Sequence, residues 1–463
     1  MMPTFAFSRR TALAMIGAAA MTRTAEASTA VSEDWTALAQ DVRNEFLWAW
    51  NAYVAKAWGR DEINPVSGTA QSFFIDGHDL GLSLVEALDT LWLMELDDEF
   101  RAGVEWIKTN LSFDIDGEIQ VFEANIRLVG GLLSAHLACG DVVLLEKAQD
   151  LADRLLKAFE ASPHGLPYRY INLRTGVVRD PETNLAEIGT YIAEFGVLSR
   201  LTGDPKYHEA ARRAMMHALN MRSELGLMAA NIHAETGGFT SRNASIDVYA
   251  DSFYEYLWDA WDLFEDLELK TAAFECLAAM VAHQGKRYGG LLWFPMVDYK
   301  TGEVTNTSQT VLGAYLAGLL GQAGFRTEGD DFLATYEAMQ ARYVIVPEST
   351  DVTTAVPRTA RTGLRPEVAD ACLNLWLGHR DDRYRAIAAD HYRNMKATSK
   401  AAHGYTALAD ITTRPMTQGD NCPGYWWSEQ MKYYWLLFSE PKRVDLDRLV
   451  LSTEANVLRG FVR

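Results

Sequence analysis

The chain has 463 residues, 48% of them hydrophobic and 23% charged, and a formal net charge of -19. This composition is typical of a globular protein, and the length fits one large domain or two to three average ones. Binding to nucleic acid or to an anionic membrane needs clustered basic residues, so the acidic balance argues against both as partners. Aromatic residues reach 11%, with 13 Trp, which fits either a sugar site or a large helical core.

Residues 1–30 have the features of a secretory signal. An Arg pair at 9–10 precedes the apolar run 11–22, which is too short to span a bilayer, and A-E-A at 25–27 offers a cleavage site. The S-R-R start at residues 8–10 is similar to a twin-arginine signal. We therefore expect cleavage of residues 1–30 and export of the mature chain, 31–463, to the periplasm or the outside of a bacterial cell.

The sequence contains no common metal or nucleotide motif. Its four cysteines (Cys139, Cys276, Cys372 and Cys422) are widely spaced, without C-x-x-C or H-E-x-x-H, so a structural zinc site is not expected. Cys276 and Cys372 lie on apolar helical faces, which favours buried free thiols but leaves pairing open. P-loop, dinucleotide-binding and G-x-S-x-G patterns are also absent.

Helical periodicity dominates the chain from Glu33 onward. Apolar residues recur at helical spacing, with short turns between, in residues 79–96, 121–138, 143–160, 184–201, 205–220, 247–265, 268–283, 308–322, 364–377, 382–396 and 425–438. We expect small hairpins at 286–297 and 445–453.

Alternate segments differ in character. One set is apolar or aromatic with isolated acids: 121–138, 184–201, 247–265, 364–377 and 425–438. The other set is amphipathic with a charged outer face: 143–160, 205–220 and 382–396. An inner and an outer ring of helices would have this pattern, with a loose repeat of roughly 45–65 residues per pair. Because no Pro-, Gly- or Ser-rich linker interrupts the chain, we predict a single domain.

Isolated acids on the inner segments are the candidates for chemistry. Glu123 and Arg127 are spaced i,i+4 on one face of an apolar helix, so they form either a surface ion pair or a buried pair. Asp251 and Glu255 repeat that spacing among aromatic residues. Pro366 suits the first position of a helix, and Glu367 then lies in the first turn, where the helix dipole favours an ionised carboxylate suited to a general base. Pro followed by Glu is also common at a plain helix start.

The last helical segment places Glu429 and Lys432 within an aromatic run. Tyr425, Trp426 and Trp427 at its start fit either the floor of a sugar site or the core. Paired carboxylates in an aromatic cavity are what glycoside hydrolysis requires: one protonates the leaving oxygen, and the other activates water or attacks the sugar.

Several motifs in collinear order resemble glycoside hydrolase family 47, the class I α-mannosidases. They are SLVEALDTLWLMEL (83–96), VFEANIRLVGGLLSAHL (121–137), LAEIGTYIAEFGVLSRLTGDPKY (185–207), ADSFYEYL (250–257), LRPE (364–367), SEQMKYYWLLF (428–438) and STEAN (452–456). The resemblance implies an all-α (α/α)7 barrel plugged by a C-terminal β-hairpin. It also implies a Ca²⁺-dependent, inverting, exo-acting mannosyl-oligosaccharide 1,2-α-mannosidase that removes terminal α-1,2-linked mannose from oligomannose glycans.

The resemblance also implies roles for individual residues. Glu123 matches the general acid, which acts through a water, and Glu367 matches the general base. Asp251 matches a third catalytic acid for which the acid role has also been argued. Thr453 matches the residue that binds Ca²⁺ through its hydroxyl and main-chain oxygen, with waters held by carboxylates.

Further positions match residues that line the sugar and calcium ends of the family's site. Those matching the carboxylates around the calcium waters are Glu86, Glu187, Asp370, Glu429 and Glu454. Those expected to bind the sugar are Arg127, Arg365, Tyr425, Glu187, Glu429 and Glu454.

The chain departs from the family pattern at three places. Asn456 replaces a His that often follows the hairpin Thr-Glu-Ala, at the end of the calcium loop. Tyr249 replaces an Arg, and the stretch 290–294, which begins with Gly290, lacks a His. We expect the last two changes to alter the subsite for the leaving-group sugar.

Three other functions fit parts of this sequence less well. A glycan-binding protein of the same fold that has lost turnover is the main alternative, but retention of Glu123, Asp251 and Glu367 favours the enzyme. An unrelated (α/α) barrel such as an epimerase would need a catalytic His pair, and a tetratricopeptide-like scaffold would not place acids on inner faces. We expect a monomer.

Overall fold

The computed structural model describes residues 33–462. The described residues from Trp35 onward belong to one compact unit, and none of their helices is long and apolar enough to cross a membrane. The expected signal, residues 1–30, lies outside the described residues, so export stays a prediction. All four cysteines are free; Cys139 is exposed and the other three are buried.

Helices account for most of the described residues. In chain order they are α1 (Trp35–Ala57), α2 (Leu82–Leu93), α3 (Asp97–Asn110), α4 (Val121–Glu123), α5 (Gly130–Cys139), α6 (Val142–Glu160), α7 (Leu185–Gly189), α8 (Ile192–Thr202), α9 (Lys206–Leu219), α10 (Asp251–Phe264), α11 (Leu267–Ala279), α12 (Tyr315–Gln322), α13 (Arg326–Tyr343), α14 (Glu367–His379), α15 (Asp382–Ser399) and α16 (Met431–Phe438). π-Helical segments at Ala124–Val129, Met280–Gln284 and Trp426–Gln430, and a 3-10 turn at Val311–Ala314, adjoin α5, α11, α16 and α12.

The helices form two concentric rings. Helices α2, α5, α8, α10, α12, α14 and α16 each contact the next, and α16 contacts α2, which closes the inner ring. Outer helices α3, α6, α9, α11, α13 and α15 each pack on the inner helix that precedes them, and α1 packs on α16. This arrangement confirms the predicted (α/α)7 barrel.

Burial explains why the two classes of segment differ in composition. In the inner helix α2 every residue except Trp92 is buried, so apolar residues occur on all of its sides and its few polar residues are buried as well. In the outer helix α6 the buried residues, such as Leu144, Leu151 and Leu155, form one stripe opposite a charged face.

Some predicted boundaries were wrong for local reasons. Segment 184–201 breaks at Thr190, whose main-chain oxygen accepts from Asn125 Nδ2 at 3.0 Å instead of continuing the helix. Segment 308–322 begins as the strand Ser308–Thr310. Helix α14 begins at Glu367, so Pro366 is its N-cap residue and not its first helical residue.

The strands are short, and all pair antiparallel in two- or three-stranded sheets. The two-stranded sheets are Glu62–Asn64 with Thr69–Gln71, Glu182–Asn184 with Asn231–His233, Lys286–Tyr288 with Leu291–Trp293, Lys400–Ala401 with Gly404–Tyr405, Leu408–Asp410 with Thr417–Gln418, and Val450–Leu451 with Val457–Arg459. The three-stranded sheets join Glu118–Gln120, Tyr170–Asn172 and Val178–Arg179; Asn243–Ala244, Met296–Asp298 and Val304–Asn306; and Ser308–Thr310, Ser349–Asp351 and Val356–Thr359. The pair Val450–Leu451 and Val457–Arg459 forms the C-terminal hairpin, whose turn is residues 452–456.

Candidate active site

A cavity of about 350 Å³ lies where several inner helices begin, a size that suits a small ligand. Asp251 is the first residue of α10 and Glu367 the first of α14, and Glu123 ends α4. The cavity is lined by all the sequence-predicted site residues except Glu86, that is by Glu123, Arg127, Glu187, Asp251, Arg365, Glu367, Asp370, Tyr425, Glu429, Thr453 and Glu454.

Arg127 is the centre of a buried carboxylate cluster. Its Nε donates to Glu123 Oε2 at 2.6 Å, and its Nη1 donates to Glu86 Oε1 at 2.7 Å and to Glu454 Oε2 at 3.0 Å. Arg127 and Glu454 are buried and Glu86 is fully buried, whereas the Glu123 side chain remains 21% exposed toward the cavity. The i,i+4 pair predicted from sequence is thus a partly buried pair and not a surface one.

The space around this cluster is tightly filled. The Arg127 guanidinium lies near the rings of Phe73 and Tyr425, at 5.4 and 5.8 Å from their centroids. A Cβ at Gly424 would lie 1.5 Å from Glu86 Oε2, so only glycine fits beside this carboxylate. Glu86 therefore holds Arg127 from behind the cavity wall.

Glu367 has one oxygen that is free to bind a small ligand. Its Oε2 is buried and has no hydrogen-bond partner among residues 33–462. Burial raises the pKa of Glu367 to about 7, against the nearby positive charge of Arg365. A carboxylate with this pKa and an available oxygen is suited to accept a proton from water.

Arg365 is oriented by Glu348, a residue that the sequence did not single out. Arg365 Nε and Nη2 donate to Glu348 Oε1 at 3.0 and 2.6 Å, while the main-chain nitrogen of Gly363 donates to Glu348 Oε2 at 3.1 Å. The Arg365 guanidinium also lies over the Tyr425 ring. Glu348 thus fixes the loop that precedes Glu367.

Like Glu367, Asp251 has a strongly raised pKa. Burial raises the pKa of Asp251 to about 7, with Asp247 adding to the increase and the main-chain N–H of Ser252 opposing it. Ser252 N donates to Asp251 Oδ1 at 2.9 Å. At neutral pH Asp251 is therefore able to hold or to release a proton.

The turn of the C-terminal hairpin faces the same cavity. Thr453 Oγ1 donates to Glu255 Oε2 at 3.1 Å, and Glu454 contacts Arg127 as described above. The sequence had placed Glu255 beside Asp251 without a role; its contact with Thr453 depends on a residue almost 200 positions later, which no local pattern reveals.

Around this turn, buried acids outnumber buried cations. Burial and neighbouring carboxylates raise the pKa values of Glu255 and Glu429, and burial with nearby Glu367 raises that of Asp370 to about 7. Within residues 33–462, Glu86 Oε2 and Asp370 Oδ2 are buried without a hydrogen-bond partner. Such an excess of oxygen ligands and negative charge fits a hard cation such as Ca²⁺.

Direct chelation by side-chain acids does not account for such a cation. In the described part of the chain no group of three or more His, Cys, Asp or Glu residues could hold a metal ion. A cation here would depend on Thr453 and on waters between the ion and the carboxylates.

Glu187, Trp426 and Trp427 lie outside the carboxylate cluster around Arg127. Arg169 Nε donates to Glu187 Oε2 at 2.7 Å, and Gln120 Nε2 donates to Glu187 Oε1 at 3.0 Å, so Glu187 lines the cavity as part of a separate ion pair. Trp426 and Trp427 are almost completely buried: Trp426 stacks on Phe46, and Trp427 packs edge-on against Trp50. Of the aromatic run, only Tyr425 and Tyr433 line the cavity.

Because Glu194 is buried behind the hairpin turn, we expect the free energy of unfolding to depend on pH. Glu194 accepts from Tyr256 Oη at 2.5 Å and from Asn125 Nδ2 at 3.1 Å, and burial raises its pKa from 4.5 to about 8. Between these values the folded state keeps a proton that the unfolded state releases, so stability falls as pH rises from 4.5 to 8. Glu194→Gln should flatten this slope by up to about 1.4 kcal/mol per pH unit.

Urea unfolding at pH 5, 6, 7 and 8 measures this effect. Glu235→Gln, at an exposed carboxylate, is the control and should keep the slope of the unaltered protein. Parallel curves for Glu194→Gln and the unaltered protein would show that Glu194 does not carry the proton.

Comparison with known proteins identifies the family of this chain. A family model described as glycosyl hydrolase family 47 matches residues 45–460. Mannosyl-oligosaccharide alpha-1,2-mannosidase IA of Drosophila melanogaster is 31% identical over 448 residues, covering 90% of this chain and 67% of that protein. Mannosyl-oligosaccharide 1,2-alpha-mannosidase IB of Homo sapiens is 32% identical over 437 residues, covering 89% of this chain and 68% of that protein.

The fold is shared with a solved structure. The alpha-1,2-mannosidase from Trichoderma reesei matches with a TM-score of 0.83 at 24% identity, covering 91% of this chain and 98% of that chain. The family predicted from sequence motifs is thus confirmed over most of the described residues, and the chain belongs to glycosyl hydrolase family 47.

Proposed function

We propose that this protein is a Ca²⁺-dependent, inverting, exo-acting α-1,2-mannosidase that acts on oligomannose glycans. The observation that carries the proposal is that Glu123, Asp251 and Glu367 line one cavity of about 350 Å³. Relatives named as α-1,2-mannosidases support the sugar and the linkage. None of the residues that line the cavity is a histidine, which argues against an epimerase with a catalytic His pair.

In an inverting hydrolysis one acidic residue acts as the general base and another as the general acid. Glu367, with its available Oε2, takes the proton from a water that attacks the anomeric carbon. Glu123, or Asp251, gives a proton through a second water to the glycosidic oxygen as that bond breaks. Arg127 keeps Glu123 in place, and the pKa of about 7 at Asp251 allows it to donate. Inversion follows because attack and departure occur on opposite faces of the sugar.

Thr453 would hold the calcium ion, with waters bound to Glu86, Asp370, Glu429 and Glu454. Bound there, the ion would supply positive charge that attracts the hydroxyl oxygens of a mannose ring in the cavity. The group of buried carboxyl side chains around Thr453, whose ionisation a cation would favour, supports this assignment.

Tyr249 is the candidate contact for the leaving-group sugar. It lines the cavity two residues before Asp251, is 47% exposed, and has a φ of 81°, which is strained for an aromatic residue. In Tyr249→Asn the backbone strain is relieved and the ring is removed. We expect the free energy of unfolding to rise by about 1 kcal/mol and KM for α-1,2-mannobiose to rise about fivefold.

Inhibition by free mannose serves as the control for this variant, because mannose should bind without contacting Tyr249. Its inhibition constant should therefore stay the same. An unchanged KM for the disaccharide would exclude Tyr249 from the leaving-group subsite.

Hydrolysis of α-1,2-, α-1,3- and α-1,6-mannobiose by the purified protein tests the proposed function. We expect mannose release from the α-1,2 isomer alone. Binding of α-1,2-mannobiose, or of a larger oligomannose glycan, without any release would instead support the glycan-binding alternative.

A further inference from the structure

A fully buried lysine lies under the turn of the C-terminal hairpin. Lys432, in the inner helix α16, has 0% side-chain exposure, and its Nζ lies 2.6 Å from Asp89 Oδ1 of the neighbouring inner helix α2. Asp89 itself is 1% exposed. Removing two charges from water is costly, and a well-packed apolar pair often serves stability as well or better. Stability alone therefore does not explain why this buried ion pair is present.

The pair binds main-chain atoms on both sides of the turn. Lys432 Nζ donates to the main-chain oxygen of Ala455, and Asp89 Oδ2 accepts from the main-chain nitrogen of Val457 at 3.0 Å. Ser134 Oγ donates to the same Asp89 oxygen at 2.7 Å. An apolar pair of the same size could make none of these bonds.

The turn needs such support because its own structure is weak. The hairpin strands are only two and three residues long, and isolated two-stranded hairpins are marginally stable. Ala455 has a left-handed φ of 56°, which costs energy for a residue other than glycine. Contacts from the barrel must therefore hold the turn in this conformation.

We propose that the Lys432–Asp89 pair positions the hairpin turn so that Thr453 and Glu454 face the cavity in a fixed arrangement. Lys432 and Asp89 do not line the cavity, so they act through the turn as positioning residues. The proposal deepens the proposed function, because the turn carries the residue assigned to calcium.

The test replaces the pair by an apolar one. Asp89→Leu with Lys432→Met removes both charges and all three bonds to the turn and to Ser134, without leaving an unpaired buried charge. The matched control makes the same two changes, Asp41→Leu with Lys396→Met, at a pair that is 39% and 31% exposed and joins α1 to α15. Calcium binding is measured by isothermal titration, and amide hydrogen exchange is followed at residues 450–459.

We expect the Asp89/Lys432 variant to bind calcium about tenfold more weakly or worse and to exchange the hairpin amides faster, with the control unchanged. Unaltered affinity and exchange in the folded variant would overturn the proposal. If that variant does not fold, Ser134→Ala is used, which removes the bond to Asp89 and a second bond that Ser134 Oγ accepts from the main-chain nitrogen of Val457 at 3.0 Å. We expect a smaller change in the same direction, and no change would overturn the proposal.

The calcium assignment and the positioning role can fail separately. If the unaltered protein binds no calcium, the calcium assignment is wrong, and hydrogen exchange at residues 450–459 then decides the positioning role alone. Faster exchange would support that role, and unaltered exchange would reject it.

Discussion

The Glu367→Gln variant should lose turnover by roughly a thousandfold while it still binds α-1,2-mannobiose. A carboxamide has the shape of the carboxylate but cannot take a proton from water. The unpaired Oε2 of Glu367 and its pKa of about 7 place that proton transfer at this residue. Steady-state hydrolysis gives kcat, and titration calorimetry with the disaccharide gives the dissociation constant.

Glu235→Gln is the control for this change, because Glu235 is an exposed carboxylate outside the cavity. It should hydrolyse the disaccharide at the normal rate. If Glu367→Gln also keeps its normal rate, Glu367 is not the base; if it loses binding along with turnover, its main role is to hold the sugar.

The Arg127→Met variant should be destabilised by about 3–5 kcal/mol. Arg127 bonds to Glu123, Glu86 and Glu454, and two of these carboxylates are buried. Without the guanidinium these closely spaced carboxylates repel each other, and uptake of protons recovers only part of the loss. Urea unfolding at pH 7 measures the change.

Arg242→Met is the control, because it removes an arginine from an ion pair at the surface and not from the buried cluster. Arg242 pairs with Asp298 at the surface and its side chain is 59% exposed, so we expect a loss below about 1 kcal/mol. Equal losses in the two variants would show that the buried cluster does not depend on Arg127.

Much of the fold was predictable because burial leaves a periodic signature. Residues 143–160 carry one apolar stripe, and residues 121–138 are apolar on most sides, which assigned them to the outer and inner rings before their contacts were known. The break at Thr190 was not predictable, because the Asn125 side chain that captures its oxygen lies 65 residues earlier.

The site was predictable to the extent that its residues belong to recognisable motifs. Glu123, Asp251 and Glu367 all line the cavity, as the family resemblance implied. Glu348 carries no local pattern that distinguishes it from a surface acid, and the i,i+4 spacing of Glu255 with Asp251 does not reveal its partner. Their contacts with Arg365 and Thr453 arise only when distant segments meet, so only the structure reveals them.

Proton NMR of the mature protein acting on α-1,2-mannobiose, first with calcium and then with excess EDTA, tests the central claim most directly. An inverting, calcium-dependent enzyme should release β-mannose first, before mutarotation, and EDTA should abolish the release. Initial release of α-mannose would contradict inversion, and undiminished hydrolysis in EDTA would contradict the role assigned to calcium.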